Sequence, residues 1–175
     1  AVLMQTFTVL PNDPRAESVM KASGIMSKFG GSQSEREAKA LKLVQKYYPS
    51  ASASTAGFDV TIVHAANNSR RASEAQLAKA ALAKAGINLI PTAATNWSSV
   101  GIISGDYDAE FFAWCQTNTS AAQPVGTYAT EDNYQGFSNK KIDSIYKQLQ
   151  AKAYTSAEVG KLYGQVDKEV VDASI

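Results

Sequence analysis

The sequence predicts an α/β fold, and three neighbouring features predict it. In Phe58-Asp59-Val60-Thr61-Ile62-Val63 the apolar Phe58, Val60 and Ile62 alternate with other residues and β-branched side chains dominate, the pattern of a strand. From Arg70 to Ala85, Ala72, Ala75, Leu77, Ala78, Ala81 and Leu82 recur at helical spacing, and Gly86 supplies a left-handed stop. Ile87 to Ile90 returns as a strand, closing a strand-helix-strand unit of ~30 residues that favours a parallel crossover.

The remaining elements follow in chain order. Met4 to Leu10 reads as an extended entry ended by the Pro11-Asn12-Asp13-Pro14 turn, and Arg15 to Phe29 as a short helix. Ser34 stands three residues before Glu37, a pattern in which side chain and backbone cap each other, so a helix is expected there with Ala38, Leu41, Val44 and Tyr48 as its apolar stripe. Pro49 lacks an amide donor and stops it. Ser50 to Gly57 is a small, polar connector. Downstream, Asn96 to Ile103 is expected as a short helix and Tyr107 to Trp114 as a third strand, apolar after Glu110 and so covered on both faces. Cys115 to Phe137 shows no periodicity, and a loop of that length is expected to serve a ligand. Ser138 is expected to cap a helix carrying Ile142, Ile145, Tyr146 and Leu149. Thr155 with Glu158 boxes a last one carrying Val159, Leu162, Val166 and Val170.

At 175 residues, with 45% hydrophobic and 19% charged residues, the chain suits one domain: an entry and short helix over 1–33, then an α/β body over 34–175. The formal net charge of +1 and scattered basic residues argue against a nucleic-acid partner. No apolar stretch approaches the ~18–20 residues of a membrane span, so no direct membrane insertion is expected.

Catalytic constellations are sparse. His64 is the single histidine, which rules out a metal site of several imidazoles, and Cys115 is the single cysteine. Cys115 activated by His64 would make a small α/β hydrolase or transferase; the competing reading is a small buried hydrophobe beside Trp114. Asp106 and Asp108 fit an exposed turn better than an acid-base pair. No phosphate-cradling loop or dinucleotide fingerprint occurs, and no cofactor is expected.

Several segments then fall in a recognisable order. Arg70-Arg71-Ala72-Ser73-Glu74-Ala75-Gln76-Leu77 follows a strand and an asparagine-bearing loop, and leads to Leu82-Ala83-Lys84-Ala85-Gly86-Ile87-Asn88-Leu89. Gly105-Asp106-Tyr107-Asp108 precedes the run to Trp114, and Gly136-Phe137-Ser138-Asn139-Lys140-Lys141-Ile142-Asp143 comes before the closing helices. From about Ala38 to Asp172 the order resembles the second lobe of the family 5 extracellular solute-binding proteins, the oligopeptide- and dipeptide-binding receptors of ABC importers. The resemblance implies a three-layer α/β lobe with a mixed sheet, one lobe of a two-lobed periplasmic-binding-protein type II-like fold, with both chain ends at the same end of the lobe. It also implies a non-catalytic role, a peptide or other small solute as ligand, and a membrane permease as partner. The location would be the extracellular face of the membrane or the periplasm, with any leader or lipid anchor upstream.

Open α/β sheets bind ligands beyond the carboxyl ends of their strands. That rule and the resemblance together select Asn67, Asn68, Trp114, Cys115, Gln116, Thr117, Asn133 and Tyr134 as ligand-binding candidates. Trp114 offers an apolar wall, and the amides and the tyrosine can both donate and accept. Peptide-binding relatives often carry an acid shortly after the strand-ending tryptophan, to receive a free ammonium group; here Cys115-Gln116-Thr117-Asn118 stands there. A blocked peptide or an oligosaccharide therefore fits better than a free amino terminus.

Overall fold

The alternating segment after Gly57 is a strand, β1 (Phe58–Ala65), and the rest of the sheet is ordered around it. The structure, a computed structural model, describes residues 6–97, 107–112, 118–134 and 136–173. Its helices, in chain order, are α1 (Ala16–Ser23), α2 (Ile25–Phe29), α3 (Gln33–Gln45), α4 (Ser69–Ala83), α5 (Gln123–Gly126), α6 (Lys140–Ala151) and α7 (Ser156–Ala173). β2 (Ile87–Ala94) and β3 (Ala109–Glu110) complete a small open sheet in the order β2-β1-β3.

Both pairings are parallel. β1 runs beside β2 from Phe58↔Ile87 to Ala65↔Ala94, and β3 adds Ile62↔Ala109 and Val63↔Glu110 on the other side. The described residues thus combine helices with a small open sheet, compatible with an α/β fold, and that sheet is parallel throughout, where a mixed sheet is expected. β2 lies at an edge, which explains how Pro91 fits a strand: an edge residue can lack an amide donor if that side faces away from the ladder. The third strand is shorter than the apolar run suggests, although Phe111 N still donates to Val63 O at 3.0 Å.

Contacts divide the chain into two units, Gly31–Ala113 and the pair of segments Ala1–Gly30 with Trp114–Ile175. The first holds α3, the three strands and α4 around Val63, Ala75 and Leu89. α3 starts two residues earlier than the Ser34 pattern suggests: Ser32 Oγ accepts from Glu35 N, and Glu35 reaches back to Ser32 N at 2.7 Å. Two overlapping Ser-x-x-Glu patterns compete, and the upstream one adds helical residues while leaving Glu37 to pair with Lys84 at 3.1 Å. Gly86 takes the expected left-handed conformation at φ 75°, with Ala51 Cβ only 3.0 Å from where its own Cβ would be.

The other unit is helical. Val19, Val125, Ile142, Ile145, Val159, Val166 and Val170 form its core, so the apolar stripes of α6 and α7 close on each other and on α1 and α5. The expected Arg15–Phe29 helix is broken by Gly24 at φ 73° into α1 and α2. Residues 6–10 form bends and no strand; residues 4 and 5 lie outside the described residues. Asn139 caps α6 in place of Ser138, because its Oδ1 accepts from both Lys141 N and Ile142 N. The Thr155–Glu158 box forms as expected.

Within the stretch after Cys115, the described residues 118–134 include a short helix, α5. Ala122, Val125 and Ala129 are buried in the helical core, and α5 is too short to leave a periodic trace in the sequence. Residues 98–103 of the expected short helix, like Ala1 and Ile175, lie outside the described residues.

Candidate functional site

All three strands run in one direction, so their carboxyl ends, Ala65, Ala94 and Glu110, share one edge of the sheet. The turn after β1 brings Asn67 and Asn68 to this edge, and α4 begins directly behind them. Asn68 is the N-cap of α4: its side-chain oxygen accepts from Arg71 N at 3.0 Å, which commits that oxygen to the helix start. Asn67 is exposed beside it.

The same edge carries a group of residues that sequence reasoning does not select. The Arg71 guanidinium lies over the Trp97 indole, 5.0 Å from the ring centroid, and Trp97 stacks on Phe112 at 5.5 Å and 24°. β3 ends at Glu110, two residues before Phe112, and the Arg71 charge acts on the Glu110 carboxyl. Arg71, Trp97, Phe112 and Glu110 thus form one cluster.

Two atoms in this cluster are buried without a hydrogen-bond partner, Trp97 Nε1 and Glu110 Oε1. Leaving a buried polar group unpaired costs about 1–3 kcal/mol, so two such atoms in one cluster call for a physical reason. Burial pushes the Glu110 carboxyl above the ordinary glutamate range, while the neighbouring Tyr107 hydroxyl and the positive charge of Arg71 pull it down. The signals are present in the sequence: an arginine in the first turn of a helix behind an Asn-Asn turn, and one acid, Glu110, entering an apolar run.

Asn133 and Tyr134 belong to the other unit. Asn133 is a turn clamp: its amide nitrogen donates to Ala129 O at 2.6 Å and Phe137 O at 2.8 Å, and its oxygen accepts from Phe137 N at 3.1 Å. Tyr134 is exposed. Trp114, Cys115, Gln116 and Thr117 lie outside the described residues, as does Asp106. Asp108 holds the sheet, accepting from Thr61 N at 2.7 Å. His64 is buried in β1 with Nδ1 3.1 Å from Ala65 O, and the described residues contain no group of His, Cys, Asp and Glu able to hold a metal ion.

Two concavities lie elsewhere. An open groove of about 570 Å³ runs along the outer face of α6 between Lys140 and Ala151, and one of about 200 Å³ sits between Ser52–Ala56 and Asn88. The first is formed by a single helix face and the second lies by the amino-terminal ends of β1 and β2, so neither has the enclosing walls or converging polar groups of a ligand site. No helix among the described residues is long and apolar enough to cross a membrane. The chain matches no model of a known protein family and no curated protein sequence.

Proposed function

We propose that this chain is the ligand-binding lobe of an extracellular solute-binding protein that serves an ABC importer, with a peptide as its ligand. The single observation that carries the reading is the carboxyl edge of the parallel sheet. There an exposed asparagine turn adjoins a cation-aromatic stack containing an unpaired donor and an unpaired acceptor. Such an edge is where open α/β sheets receive ligands. The ordered segments from Ala38 to Asp172 that resemble the family 5 receptors support the same reading.

The role is that of a receptor and not an enzyme. Its partners are the solute and a membrane permease, and its place is the extracellular face of the membrane or the periplasm. Native mass spectrometry of the chain, titrated with a panel of blocked and free short peptides and of oligosaccharides, tests this. Adducts of peptide mass are expected; no adduct with any member of the panel overturns the proposal.

A further inference from the structure

We infer that Asp167, Phe7 and Thr8 form a proton-operated latch: one proton taken up by the carboxyl closes the segment 6–9 on α7, and loss of that proton lets the segment lift. The latch belongs to the helical unit and does not depend on the ligand reading above.

The Asp167 side chain is fully buried, yet the groups that bond it are neutral. Phe7 N donates to Oδ2 and the Thr8 hydroxyl to Oδ1, both at 2.8 Å, and among the described residues no cation acts on the carboxyl. Tyr128 faces it from the segment after α5, and Tyr163 lies one turn earlier on α7 with its hydroxyl donating to Ala121 O. The charges on the surrounding elements are engaged elsewhere: Arg15 of α1 with Asp13, Lys28 of α2 with Val171 O, Lys168 with Asp172, and Glu169 with Lys141 of α6. A carboxylate in this setting loses its hydration without a counter-charge to offset the loss. Burial accordingly raises its proton affinity.

The segment lies over that carboxyl: Thr6, Thr8 and Val9 are buried, and both carboxyl oxygens are bonded to it. Lifting it returns Asp167 to water, where the ionised form is favoured. Closing is therefore coupled to uptake of a proton and opening to its release. Thr8 suits both states, because a hydroxyl can donate as well as accept. It donates to Oδ1 of the carboxylate, and once Oδ1 carries the proton it accepts from that O–H by turning its own hydrogen away. Phe7 N donates to Oδ2 throughout. Protonation thus removes the buried charge and keeps both bonds to the segment.

Hydrogen exchange of the Phe7 amide, followed by NMR on the full chain from about pH 4 to about pH 7 and divided by the intrinsic rate at each pH, reads the opening of the latch. The opening constant should rise roughly fiftyfold across that range, as a carboxyl raised from 3.8 to about 6 requires. Asp167→Asn, whose amide nitrogen can donate to Thr8 Oγ1 as the protonated carboxyl does, should keep the segment closed with an opening constant independent of pH. The Ile145 amide of α6 is the reference, and Phe7 should open more readily than it does. A Phe7 amide that opens only as often as Ile145 opens with the whole unit, and overturns the latch. So does an opening constant that stays flat or falls as pH rises in the parent chain, or one as dependent on pH in the variant as in the parent. Should the variant fail to fold, the Asp167 carboxyl carbon of the parent chain decides: a titration midpoint near 6 upholds the latch, and one in the ordinary aspartate range overturns it.

Discussion

The Thr8 hydroxyl donates to Asp167 Oδ1 at 2.8 Å, at a point where both side chains are buried. Asp167 Oδ2 accepts from Phe7 N, also at 2.8 Å, so a single carboxyl in the middle of α7 ties down the segment that leads to α1. Burial raises the Asp167 carboxyl from 3.8 to about 6, against the opposing pull of those hydrogen bonds, and burial together with the Asp167 charge leaves Tyr128 near 12.

A pH dependence follows from that carboxyl. Its folded-state value lies above the unfolded one, so the folded state binds the extra proton between about 4 and about 6. The contribution is fully present below 3.8 and lost as pH rises through about 6, a change of roughly 3 kcal/mol. Urea unfolding of Asp167→Asn against the parent chain isolates it, because the lowered carboxyls of Asp13, Glu37 and Glu169 act in the opposite direction in both proteins. The difference in stability between parent and variant should shift against the parent across this range. A difference independent of pH contradicts the assignment.

Gly164 faces Ala22 where α7 packs on α1. A Cβ there would lie 2.6 Å from Ala22 Cβ, a separation that requires the helices to move apart. Gly164→Ala should cost about 1–3 kcal/mol of stability, and the added change Ala22→Gly should restore most of it. Additive losses in the double variant would show that the contact is not the cause.

The start of α3 distinguishes two serines. Ser32→Ala removes the reciprocal cap and should cost about 1 kcal/mol, whereas Ser34→Ala, at the second residue of the helix, should stay within about 0.5 kcal/mol. Denaturant midpoints of the two variants decide the matter; equal losses would place the cap elsewhere.

The asparagine turn makes a similar comparison possible at the sheet edge. Asn68→Ala should lose about 1 kcal/mol because its oxygen caps α4, while Asn67→Ala should leave stability nearly unchanged. Asn133→Ala, which gives up three hydrogen bonds, should be the costliest of the three. The reverse ranking in thermal unfolding would contradict these roles.

Where an element is long and its period clean, the order of residues is enough to declare it. β1, the α4 interior, Gly86 and the Thr155 box are such cases, since each depends on neighbours close in sequence. Ser34 misleads as a cap because local pattern alone cannot rank two overlapping boxes. α5 escapes because four residues are too few to show a period, although Val125 is fully buried. The site is only partly legible for a related reason. Asn67 and Asn68 follow from the rule about strand ends, but Arg71, Trp97 and Glu110 come together from three separate parts of the chain. Nothing in their spacing encodes that meeting.

Hydrogen-deuterium exchange with and without acetyl-trialanine-amide tests most directly whether the carboxyl edge of the sheet receives ligand. Amides in Asn67–Arg71 and Glu110–Phe112 should become protected on binding, while the outer face of α6 between Lys140 and Ala151 remains unchanged. Protection confined to α6, with exchange at Asn67–Arg71 and Glu110–Phe112 unaltered, would contradict the account.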